Sequence, residues 1–218
     1  KLFTYSKEVD VSGQVLYIRI PGDHTVEEVR RSALLESRKL RKDLRDTSSD
    51  AYLIHIDMME DYDKDDLVSM CAAMGMRDAM RTYVQTHPKA ILDSLGDHPS
   101  LEDQEQYEAA KIQRDVDYNT DMRAYVENRR DTFVKSMEKK SIEEVKRIYH
   151  KWKTDRVCDD LFTKEFEDRL MVASIFTDQK YTKQAFSLED YRNIPSSMKQ
   201  YLQEQYAELS LSVDDLKK

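Results

Sequence analysis

The stretch that decides the fold runs from Ser100 to Met137, S-L-E-D-Q-E-Q-Y-E-A-A-K-I-Q-R-D-V-D-Y-N-T-D-M-R-A-Y-V-E-N-R-R-D-T-F-V-K-S-M. It holds no glycine and no proline, and Ser100 with Asp103 three residues on has the form of a capping box. The spacing predicts one long helix over about 100–137, near 55 Å at 1.5 Å per residue. Ala109, Ile112, Val116, Asn119, Arg123, Val126, Arg130, Phe133 and Met137 form a heptad with three polar members. A two-stranded coiled coil wants fewer. The helix is therefore expected to lie across other helices through a second stripe, Tyr118, Met122, Tyr125 and Phe133.

The rest of the chain has the same character. Only four glycines and four prolines punctuate 218 residues, and 36% of the residues are charged. This argues against a Gly-rich linker protein, a collagen and a loop-dense β-sandwich. The expected fold is mainly α, a multi-helix protein around one long central helix with a small N-terminal β-hairpin. Towards the N-terminus, Val9 to Ile20 is rich in β-branched and aromatic residues around Ser12-Gly13. It predicts a hairpin, Leu2–Val11 with Gln14–Ile20. Two strands alone are marginal in water. They must pack on the following helix, pair with 51–56, or pair with another chain. Thr25 and Glu28 predict the cap of that helix, which carries Val26, Val29, Ala33, Leu34, Leu40 and Leu44 and ends at Asp46–Ser49. Residues 51–56, A-Y-L-I-H-I, fit period 2 and period 3.6 alike and are left open between strand and helix.

Asp65 or Asp66 opens a further helix through Met70, Met74 and Tyr83 to Gln85. A short segment, Lys89–Leu95, follows between Pro88 and Pro99. Beyond the long helix, Ser141 with Glu144 starts a helix over Ile142–Asp155, and a separate one is expected over about 159–176. Gln179–Ala185 reads as a polar loop. Ser187 with Asp190 caps a short helix, Pro195 fits the first turn of the last one, and the tail after Ser210 is expected to be loose. Three divisions follow: 1–56, 57–178 and 179–218, with a single domain as the alternative.

Charge is segregated. Residues 50–66 hold seven acids and one base, residues 93–121 nine acids and two bases, and residues 129–156 ten bases and five acids, within a net charge of −8. Acidic and basic faces on one molecule suit contacts with copies or partners. Asp61, Asp63 and Asp65 stand at the first, third and fifth positions of a calcium loop. The sixth residue is Asp66 instead of Gly and the twelfth is Ala72 instead of Glu, so a solvated acidic loop is expected. The five histidines, His24, His55, His87, His98 and His150, show no i, i+4 pair. Cys71 and Cys158 suggest a reduced setting and no disulfide framework. No phosphate-cradling or nucleophile motif occurs. The reading is a protein without catalytic role, cofactor or metal, and without an apolar run long enough to span a membrane.

Two surfaces are candidates. The last helix presents Met198, Tyr201, Leu202, Tyr206 and Leu209 on one face, a Tyr- and Met-rich stripe suited to a protein partner or to self-association. Closure of the protein's own core by this face is the competing reading. The second surface is the basic stretch, Arg129, Arg130, Lys135, Lys139, Lys140, Lys146, Arg147, Lys151, Lys153 and Arg156, with Tyr149 and Trp152 interleaved. It has the composition of a nucleic-acid contact, which makes a nucleic-acid-binding regulator the alternative function.

The opening Y-I-R-I-P-G-D-H-T-V-E-E-V-R-R-S-A-L-L-E-S-R-K-L-R-K-D-L-R-D and the close F-S-L-E-D-Y-R-N-I-P-S-S-M-K-Q-Y-L-Q-E-Q-Y-A-E-L, joined by a long charged middle, resemble small helical proteins encoded among the tail genes of long-tailed bacteriophages, the tail assembly chaperones included. The resemblance implies an assembly factor, chaperone or structural component that binds a tail component such as the tape-measure protein. It implies a place in the host cytoplasm or in the particle. It assigns no residue a role.

Overall fold

A computed structural model describes residues 6–92 and 100–215. The predicted strands over residues 2–5 and the segment 93–95 lie outside them. Two short strands open the described chain, β1 (Ser6–Val11) and β2 (Gln14–Arg19). Their two-residue turn needs positive φ at both positions. Ser12 has φ 55° and Gly13 φ 84°, the mirror-image turn that matches strand twist. The Asp10 carboxylate accepts from the Gly13 N–H at 2.7 Å. Val9 stands opposite Leu16, and Val9, Val11, Leu16 and Ile18 are buried.

Seven helices follow among the described residues. They are α1 (Asp23–Asp43), α2 (Asp50–Asp57), α3 (Lys64–Thr86), α4 (Leu101–Glu138), α5 (Ile142–Ser174), α6 (Leu188–Asn193) and α7 (Ser196–Asp215). A two-residue strand, β3 (Ile175–Phe176), lies between α5 and α6. The mainly helical fold with its long helix and N-terminal hairpin is thus present. The Ser100–Asp103 box closes in both directions, and α4 runs 38 residues, about 57 Å.

Several local expectations are corrected. Residues 51–56, left open between strand and helix, are helical, and the hairpin's third strand is β3, with Ile18 opposite Ile175. Gly22, in extended conformation and without a side-chain bond, is the N-cap of α1, which places Thr25 inside the first turn. That helix also stops at Asp43, ahead of Asp46. Asp63, not Asp65 or Asp66, caps α3, and Asp66 completes the box. The two helices expected over 142–155 and 159–176 are one, α5, because nothing between Asp155 and Asp159 breaks a helix. Pro195 precedes α7, whose first turn bonds to its carbonyl. Backbone after Ser210 stays helical to Asp215.

The chain divides into two compact units, one of residues 1–52 with 154–218, the other Leu53–Lys153. In the first, Val9, Val11, Leu16, Ile18, Met171, Ile175, Tyr191 and Leu202 form the core. Glu165, almost fully buried, bonds to Arg169 at 3.0 Å and to Arg192. Arg192 also reaches Asp168 at 3.0 Å. In the second, Met59, Leu67, Val68, Cys71, Met137, Val145 and Tyr149 are buried together.

Candidate functional site

The five residues proposed on the last helix divide by depth. Leu202 is fully buried, and Met198, Tyr206 and Leu209 pack on the same core. Tyr201 alone stands at the surface, 37% exposed. The face packs on the core of its own unit.

The basic residues remain at the surface. Arg129, Arg130, Lys139, Arg147 and Lys151 are exposed, and Lys140, Lys146 and Lys153 half-buried. The aromatics between them turn inward. Tyr149 is buried, and Trp152 stacks on Phe133 with ring centroids 5.3 Å apart. Tyr149 therefore offers no platform for a base, and Trp152 is left half-buried.

A stripe of small residues on α3 explains where Trp152 goes. Ala72, Gly75, Ala79 and Thr82 follow one another at helical spacing. A Cβ at Gly75 would stand 3.2 Å from two Trp152 ring carbons. The indole edge therefore lies on the α3 backbone. Opposite, α4 presents Tyr125, Arg129 and Phe133, one turn apart. The small stripe cannot fill the space between, and an open groove of about 300 Å3 results. Arg129 and Arg130 line it, with Asp78 the one acid. Two bonds to the Tyr125 hydroxyl, at 3.2 and 3.1 Å, hold the Arg129 guanidinium over that ring.

The second feature is α2, and sequence reasoning passed over it. A short helix this apolar all round belongs inside a protein. Here the buried residue is His55, while Leu53, Ile54 and, just past the helix end, Met58 are 52, 61 and 58% exposed. Neither ring nitrogen of His55 has a hydrogen-bond partner. Its ring centroid lies 4.8 Å from that of His150. Burial first, then the neighbouring His150 and Lys153, push its pKa below the ordinary value. Ile56 and Met59 turn inward with it. The outward patch is bordered by Asp57, Glu60 and Asp61, all exposed. No ion pair engages these three among the described residues. Lys64 donates to the Glu138 carbonyl at 2.8 Å.

Among the described residues no three histidine, cysteine or acidic side chains converge to hold a metal ion. Asp63, one of the three acids at calcium-loop spacing, is engaged with Asp66 in the α3 cap. Both cysteines are free and buried. Burial pushes the Cys71 thiol up to about 11, so it stays protonated at neutral pH. No described helix is long and apolar enough to cross a membrane. No family model, no curated protein and no solved structure matches the chain.

Proposed function

We propose that this chain is a non-enzymatic protein–protein interaction protein, acting as an assembly factor or structural component of a phage-like tail. The observation that supports the interaction role is the inverted α2. A polar ring is buried without a hydrogen-bond partner while Leu53, Ile54 and Met58 face water, and burial under a partner would remove the cost of that exposure. An exposed apolar group rimmed by charge marks an interaction surface. The acidic border favours a basic counterpart and speeds encounter with it. The tail assignment rests on the resemblance of the opening and closing stretches alone, and with it goes a place in the host cytoplasm or the particle.

The test is the size of the native complex in cells that express the gene. Wild type should fractionate well above its 25.8 kDa. The Leu53→Ser/Ile54→Ser/Met58→Ser variant should fall to monomer size. A variant that keeps its helix content and still fractionates with wild type would remove the interaction role from α2.

A further inference from the structure

We infer that the chain associates head to tail with copies of itself, the apolar face of α2 in one copy seating in the α3–α4 groove of the next. This rests on the interaction role proposed above and names its partner. Both surfaces belong to the unit Leu53–Lys153, and they match in charge, shape and placement.

The patch carries Asp57, Glu60 and Asp61. The groove carries Arg129 and Arg130 against the single Asp78. A convex helix turn offers Ile54 and Met58, one turn apart. The groove volume is roughly twice the ~150 Å3 cavity that takes one benzene ring, room for two aliphatic anchors over the Phe133 and Trp152 rings. Placement excludes the simplest alternative, closure of the groove by its own patch. α2 meets α5 at His150. The groove meets α5 at Trp152, two residues on and therefore about 200° around the axis. The two surfaces lie on opposite sides of α5. A contact between unlike surfaces on opposite sides does not close in a pair. It repeats, giving a ring or an open filament.

Sedimentation velocity of the purified, nuclease-treated chain tests this. Wild type should grow in size with concentration across the micromolar range, and less so at 500 mM than at 50 mM salt, because the charged rim is screened. Arg129→Glu/Arg130→Glu and Ile54→Ser/Met58→Ser should each weaken association roughly tenfold or more. Each leaves one surface intact, so an equimolar mixture of the two should form a heterodimer and nothing larger. Ala79→Trp, which fills the groove without altering its arginines, should act as the arginine variant does. Equal helix content and melting midpoints of wild type and variants check the fold. A chain that stays monomeric throughout, variants that still grow, a mixture that stays monomeric, or association lost on nuclease treatment would each overturn the inference. A monomeric chain whose α2 variant still leaves its native complex would refute self-association alone. Loss of that effect as well would remove both readings.

Discussion

Replacing Leu202 with Ala removes a side chain with no exposed surface from the core it shares with Ile18, Met171, Ile175 and Tyr191. Three carbons leave the core, about 2.4 kcal/mol at roughly 0.8 kcal/mol each. The hairpin, α5 and α7 meet here, and the site cannot collapse freely, so a cavity contribution adds to this. Buried Leu→Ala changes cost about 2.7–5 kcal/mol where surroundings relax only in part, and about 3–4 kcal/mol is expected. Tyr201, the next residue on the same helix, stands at the surface, and its change to Ala should cost under about 1 kcal/mol. The assay is urea unfolding followed by far-UV circular dichroism, with both variants compared at unchanged denaturant slope. A Leu202→Ala loss below about 1 kcal/mol, or equal losses for the two variants, would show that this face does not close the core.

Other perturbations follow from the same contacts. His55 is depressed below its unfolded value of 6.5 by burial and by His150 and Lys153. Its contribution to stability is then complete above about 6.5 and is lost as pH falls from there through the folded value; unfolding free energy measured from pH 7 to 5 should fall, and His55→Phe should flatten the slope. Glu165→Ala strands Arg169 and leaves Arg192 with Asp168 alone, beside a vacated buried site. With both guanidiniums about one-third exposed to screening, urea unfolding should report a loss of about 2 kcal/mol. Gly75→Ala should stabilise by about 0.5 kcal/mol, since the helix-propensity gain of about 1 kcal/mol outweighs a few tenths of an ångström of Trp152 movement into the groove. A loss above 1 kcal/mol would mean that the indole cannot yield.

The capping boxes at Ser100, Ser141 and Ser187 were legible because each depends on two residues three apart. The C-terminal stripe was legible as a helix face, and its depth was not. Leu202 is buried in the first core and its neighbour Tyr201 is not. Thr25 misled because the chain enters α1 from Pro21-Gly22, and backbone direction overrode a side-chain signal. β3 is too short for any pattern and exists through its pairing with β2. The two halves of the candidate site differ likewise. Ala72, Gly75 and Ala79 show a small stripe on the page, but Trp152 meets it from 77 positions away. His55 meets His150 from still further, so the inversion of α2 could not be read from six residues that fit two periods.

The proposed contact sets the outward face of α2 in the groove of another copy. A photoreactive residue at position 54 of the purified chain tests it most directly, using an equal mixture of isotopically labelled and unlabelled protein. The account predicts mixed-label adducts concentrated on residues 72–82, 125–133 and 152. Adducts confined to single chains, or spread without preference over the surface, would contradict it.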